Sequence, residues 1–321
     1  MTRDDSGTVY AVLYIGFSLI FKSIWPGHYI CSIVDLNFLN KLTMSRHATS
    51  SRNMNPPVIT LYDVPGHTPQ PWAPNIWRIR YVAYLIIIDE SWLMLLITFL
   101  QRFILNYKRL RYRTVWVEFQ DVELTLRRIG APPSAKRPDG RPVYTLPVLF
   151  DPNTPAGTTL SNTNLIAEYL ESTYPARPVF PDGTRALQTL FVHYIQEVFS
   201  KPLLPIMVPL SHQQLPERSQ AHFNVGHGHP NVPAGPQREL AWQAVKEQFD
   251  FLSIIMDKNS GDGDGVVVMG HDITYADFAL CAVLIWIERM AAHDGWARVR
   301  TWNGGRWHRL LERCREYMDE Y

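Results

Sequence analysis

The chain has 321 residues, 46% of them hydrophobic and 12% aromatic, with a formal net charge of +1. That is enough for one large or two ordinary domains with filled cores, and the near-neutral charge leaves neither a basic footprint for nucleic acid nor an acidic tail. The cysteines Cys31, Cys281 and Cys314 form no CxxC pair and no His/Cys ligand spacing, so neither a disulfide framework nor a metal site is indicated.

Thr8 to Phe21, TVYAVLYIGFSLIF, is apolar but shorter than the roughly twenty residues a membrane-spanning helix needs. Its flank MTRDD is not net positive and no small-residue cleavage site follows. Residues 1–55 are therefore expected as a leader outside the fold. PVITLYDVP, 57–65, has the β-branched and aromatic content of a buried strand. After the loop GHTPQPW, WAPNIWRIR opens a helix with Pro74 in its first turn. Ser, Thr, Asp or Asn usually precedes such a proline, because a side-chain oxygen satisfies unpaired backbone N–H groups. Here the residue is Ala73, with Asn75 just inside.

Ala83 to Ile104, AYLIIIDESWLMLLITFLQRFI, interrupts that helix with an apolar run carrying Asp89 and Glu90. Charges are costly at a bilayer centre, so a membrane span is not expected. Removing the segment joins RIRYV to LNYKRL and restores one amphipathic helix with Ile76, Trp77, Ile79, Tyr81, Val82, Leu105 and Tyr107 as its apolar positions. The segment reads as a translated, retained intron or a gene-model error. If it belongs to the protein, it should extend the helix outward as an apolar protrusion.

Tyr112 to Phe119 alternates like a strand, DVELTLRRIG reads as a helix ending at Gly130, and APPSAKRPDGRP as a polar loop. VYTLPVLFD is a strand with Pro147 at its start or edge, where a missing N–H is tolerated. TTLSNTNLIAEYLESTYP combines a short strand, a cap-like SNT cluster and a helix with Leu165, Ile166, Tyr169 and Leu170 on one side. The order over 56–176 is β, α, β, α, β, β, α. RPVFPDGT, 177–184, reads as a linker, and 185–321 is helical by period. ITYAD has the form of a capping box between Thr274 and Asp277. NSGDGDG, 259–265, lacks the ligand ladder of a calcium loop and reads as a solvated turn.

TLPV at 145–148, SNTNLIAEYL at 161–170 and ITYAD at 273–277 resemble the cytosolic glutathione transferases. LYDVP, WAPNIWRIRYV, RTVWVEF, IGAPPSAKRPDGRPVYTLPVLFDP and AEYLESTYP resemble more closely the fungal etherase-like glutathione transferases, similar to bacterial β-etherases acting on lignin-derived aryl ethers. The resemblance runs from about Pro57 to Tyr321, residues 83–104 apart. It implies an N-terminal thioredoxin-like βαβαββα domain followed by an all-helical glutathione transferase C-terminal domain. It also implies a cytoplasmic homodimer with a detoxification role, using glutathione as co-substrate and a small hydrophobic aromatic as acceptor.

In that family the proline matching Pro147 is cis, which leaves the backbone of Leu146 free to pair with the cysteinyl backbone like an added strand. Asn162 and Thr163, at the next helix start, suit the γ-glutamyl carboxylate, or merely cap their helix. The family serine, whose hydroxyl points at the sulfur, falls at Ala73. The implied readings are a transferase whose thiolate is stabilised by Asn75 and backbone N–H groups near Ala73, with His67 or Thr68 assisting; a glutathione-dependent binding protein; or a defective product. Trp72, His193 and Tyr194 are candidate walls of an acceptor cleft between the domains, with core packing as the alternative. Trp286 and Cys281 are expected in the core. The thioredoxin-like half has no cysteine, so a glutaredoxin-like thiol mechanism is not supported.

Overall fold

Ile59–Asp63 (β1, ITLYD) is buried along almost its whole length and forms the centre of a four-stranded sheet. It pairs in parallel with Tyr112–Trp116 (β2) and antiparallel with Val148–Asp151 (β5), which in turn pairs antiparallel with Thr158–Leu160 (β6), giving the order β2-β1-β5-β6. Ile59, Leu61 and Tyr62 supply the apolar content of β1, and the polar Thr60 and Asp63 are buried with them. This computed structural model describes residues 58–65, 93–224, 232, 234–259, 261 and 263–318. The expected leader, 1–55, lies outside the described residues.

A parallel β1–β2 pair needs a crossover. The described helix between these strands is Leu93–Tyr107 (α1); residues 83–92 of the expected insert lie outside the described residues, and its last five, 100–104, are buried rather than protruding. Its last residues enter the core: Leu100 and Ile104 are fully buried and Phe103 is 2% exposed. Leu100, Phe103, Ile104 and Leu105 supply the apolar surface that fills the slot. The single charge of α1 is neutralised, because Arg102 Nη2 lies 3.0 Å from Asp63 Oδ2 at the end of β1.

Val122–Arg128 (α2) follows β2, and the expected polar loop contains a small hairpin, Ala135–Lys136 (β3) with Pro142–Val143 (β4). The strand expected over VYTLPVLFD is thus split, with β5 starting only at Val148. Thr163–Thr173 (α3) completes the domain. The segment expected as a linker is docked: Val179 and Phe180 are buried, and their N–H groups donate to the Glu171 carboxylate at 3.1–3.2 Å.

The second half is helical, with Arg185–Tyr194 (α4), Leu204–His212 (α5), Glu217–Asn224 (α6), Pro236–Met256 (α7), Tyr275–Met290 (α8) and Trp302–Cys314 (α9). Every residue of α8 from Tyr275 to Ile287 is buried, as expected of a helix apolar on all sides. Trp286 is in that core, its Nε1 donating to Ser211 Oγ at 2.9 Å, and Cys281 and Cys314 are buried there too. The two halves share an aromatic seam where α1 lies against α8: Phe103 stacks on Phe278 with centroids 5.1 Å apart, and Tyr107 meets Phe278 edge-on.

The capping box opens α8. The acidic loop ends in an ion pair between Asp264 and Arg313 at 2.9 Å, and no cluster of three metal-ligating side chains occurs among the described residues. No helix among them is long and apolar enough to cross a membrane.

Candidate functional site

The Leu146–Pro147 peptide bond is cis and immediately precedes β5. Leu146 is buried, which anchors its backbone ahead of the ladder. The β3–β4 hairpin braces this point from behind: Thr145 Oγ1 donates to Ser134 Oγ at 2.6 Å, and Ser134 Oγ donates to the Val143 carbonyl at 3.1 Å.

β5 begins at Val148, directly after Pro147, and its antiparallel partner β6 ends at Leu160, two residues before Asn162. The cis-proline and the start of α3 therefore lie at one end of the sheet. Asn162 has the extended backbone of an N-cap, and its Oδ1 accepts from Leu165 N–H at 3.2 Å. Ile166 N–H donates to the Asn162 carbonyl. The N–H groups of Thr163 and Asn164 have no hydrogen-bond acceptor among the described residues. They form a donor pair at the positive end of a helix, the arrangement that suits a carboxylate. Capping by Asn162 is thus observed, and it coexists with donors left for an anion.

Two contacts hold this helix start in place. The Tyr275 hydroxyl donates to Asn164 Oδ1 at 2.8 Å, and Gln101 Nε2 donates to the Thr163 carbonyl at 3.1 Å. Burial raises the Tyr275 pKa, keeping it a neutral donor. Neither contact follows from periodicity. Tyr275 lies in ITYAD, where the capping box accounted for the motif, and Gln101 lies in the stretch expected as an insert. Thr145 carried a usable signal, since it opens TLPV.

Asp63 and Arg102 form a floor beneath this end of the sheet. Arg102 also donates to Thr114 Oγ1 at 3.1 Å and stacks over Trp116, 5.1 Å from the ring centroid, while Asp63 Oδ1 accepts from Val64 N–H at 2.7 Å. With both side chains at most 4% exposed, the pair fixes the direction in which the chain leaves β1.

Leu146 and Pro147, ahead of β5, thus lie at the same end of the sheet as Asn162 and Thr163, after β6. Trp72, Ala73 and Asn75, with His67 and Thr68, lie outside the described residues. His193 is exposed on α4. Tyr194 packs among aromatic rings, with centroids 6.5 Å from Phe199 and 6.4 Å from Phe251 of α7, and burial raises its pKa.

The transferase C-terminal domain model, "Glutathione S-transferase, C-terminal domain", matches residues 186–317, and the corresponding N-terminal domain model matches 102–173. The crystal structure of glutathione transferase GSTFuA3 from Phanerochaete chrysosporium is 32% identical, covering 81% of this chain and 97% of that one, with a TM-score of 0.67. The chain belongs to the glutathione transferase family. A glutathione S-transferase from Ceriporiopsis subvermispora, CsGST63524, solved in complex with glutathione, is also 32% identical, with the same coverage and TM-score. The curated glutathione S-transferase-like protein ustS of Aspergillus flavus is 24% identical, covering 68% of this chain and 82% of that protein. This transferase accordingly has the two domains expected, a thioredoxin-like domain with a mixed sheet and a helical C-terminal domain.

Proposed function

We propose that this transferase is of the etherase-like type, joining glutathione sulfur to an electrophilic or aryl-ether carbon of a small hydrophobic aromatic. The observation that supports the reading is that cis-Pro147 opens β5 and Asn162 follows its antiparallel neighbour β6, so both lie at one end of the sheet, where the N–H groups of Thr163 and Asn164 have no acceptor among the described residues. Leu146 would pair through its backbone with the cysteinyl unit of glutathione, and the α3 start would take the γ-glutamyl carboxylate. The thiol loses its proton, sulfur forms the new C–S bond, and the ether C–O bond breaks. The departing phenolate takes up a proton, so glutathione and ether give a thioether and a phenol. The protein supplies orientation and stabilisation of the thiolate.

Ala73 favours a second reading, a weak or inactive glutathione-dependent binding protein. A lost neutral hydrogen bond costs about 1 kcal/mol, which slows such a reaction without abolishing it. Asn75 and backbone N–H groups beside Ala73 would then carry the thiolate. A turnover assay with glutathione and an aryl-ether or chloronitroaromatic acceptor separates the two. Saturable glutathione binding without product rejects the enzyme reading, and a strong gain in Ala73→Ser identifies the missing hydroxyl as limiting.

A cytoplasmic homodimer is part of the same proposal. Leu187 and Leu190 on α4 and Phe251 and Ile254 on α7 are each more than half exposed, and the Tyr194–Phe251 contact joins the two helices into one apolar face suited to a second copy. Sedimentation showing a monomer at micromolar concentration would reject it.

A further inference from the structure

Four consecutive buried positions of α1 have counterparts earlier in the chain. Gln101, Arg102, Phe103 and Ile104 immediately precede Leu105, while Ile79, Arg80, Tyr81 and Val82 immediately precede the twenty-two residues 83–104. If those residues are absent, Val82 joins Leu105 and the two tetrads fall in the same helical register. Arg80 then takes the place of Arg102, an aromatic the place of Phe103, and a β-branched residue the place of Ile104.

Each match meets a specific demand of the slot. The position of Arg102 faces Asp63, with Nη2 to Oδ2 at 3.0 Å and both groups buried, and an unpaired carboxylate there would be costly. The position of Phe103 stacks on Phe278 at 5.1 Å. The position of Ile104 is fully buried. At the fourth position Ile79 would forgo the Gln101 Nε2 bond to the Thr163 carbonyl, but it would also remove the buried, unpaired Gln101 Oε1. The correspondence ends one residue earlier, where Arg78 would stand at the buried Leu100.

The geometry points to residues 79–82 and 101–104 being alternative occupants of one helix slot, so that a chain lacking 83–104 closes the same sheet with Arg80 on Asp63. This goes beyond the transferase reading and does not depend on it. It gives the reading of 83–104 as a translated, retained intron a physical basis, because a segment whose removal preserves a buried ion pair can be present or absent without changing the fold.

The test compares Arg→Ala variants in two chains, the full chain and one lacking 83–104, by thermal melting. In the full chain, Arg102→Ala should lower the melting temperature by roughly 10 °C while Arg80→Ala leaves it within about 2 °C. In the shorter chain, Arg80→Ala should produce the large drop. A small effect of Arg80→Ala in the shorter chain overturns the inference, as does a large effect of Arg80→Ala in the full chain. A shorter chain that shows no cooperative melt where the full chain does also overturns it.

Discussion

The Tyr275 hydroxyl reaches Asn164 Oδ1 at 2.8 Å, so the first residue of the buried C-terminal helix α8 holds the second residue of α3 in the thioredoxin-like domain. Asn164 supplies one of the two N–H groups at the α3 start that have no acceptor among the described residues. The domain interface therefore sets the position of the anion donors.

Tyr275→Phe removes that bond while keeping the ring packed on Phe180, 4.8 Å away. The expected loss in stability is about 1 kcal/mol, and glutathione affinity should weaken several-fold because the α3 start is less firmly held. Calorimetric titration and a denaturation curve on the same sample check both effects. Unchanged affinity with reduced stability would show that the bond only joins the domains.

Asn162 and Thr163 separate capping from binding. Asn162→Ala removes the acceptor for Leu165 N–H and should cost about 1 kcal/mol of stability. Thr163→Ala leaves that cap intact and should instead reduce glutathione affinity with little change in melting temperature. Chemical denaturation beside a binding titration distinguishes the two outcomes.

Lys108 and Glu171 form the most enclosed ionic cluster of the molecule's described ion pairs outside Asp63–Arg102. Lys108 Nζ lies 2.6 Å from Glu171 Oε2 and donates to the Tyr174 and Arg177 carbonyls, while Glu171 accepts from Val179 and Phe180. Lys108→Met leaves a buried carboxylate without its cation and should cost about 3–5 kcal/mol. Adding Glu171→Gln should recover part of that loss, since the two sites share one interaction. Urea melts of the single and double variants measure the coupling.

The pH dependence of stability should carry a signature of Asp277. Burial pushes its pKa up to about 6, outweighing hydrogen bonds from Val268 N–H and from the N–H and hydroxyl of Thr274. The folded chain holds this proton up to about pH 6, whereas the unfolded chain releases it near pH 4. The resulting stabilisation is fully present below about pH 4 and is lost as pH rises through 6, a change on the order of 2 kcal/mol. Asp151 acts in the opposite sense. Its burial is outweighed by hydrogen bonds from Tyr174, Tyr169 and Asn153, which lower its pKa and add stability that is lost in strong acid. The difference between the profiles of the parent chain and Asp277→Asn isolates the Asp277 contribution, which should vanish in the variant.

Much of this was legible in the sequence because local chemistry and tertiary structure agree there. SNT marks the helix cap and ITYAD the capping box, each a short-range pattern with a fixed geometric outcome, whereas the cis bond at Pro147 was legible only through the resemblance to the family. What escaped was non-local. The apolar period of 93–107 is compatible equally with a protrusion and with a core helix, and only Asp63, 39 residues before Arg102 in sequence, decides between them by supplying a buried partner. The docking of 177–184 escaped for the same reason, since the N–H groups of Val179 and Phe180 are satisfied by a carboxylate that composition does not assign to them.

The central claim is that Leu146, Pro147 and the start of α3 hold the glutathione backbone and its γ-glutamyl carboxylate. Isothermal titration of the full chain with reduced glutathione tests it most directly. The account predicts saturable heat at millimolar glutathione or below, weakened by Thr163→Ala. No heat up to millimolar glutathione, with no displacement of a bound S-alkyl glutathione, would contradict it.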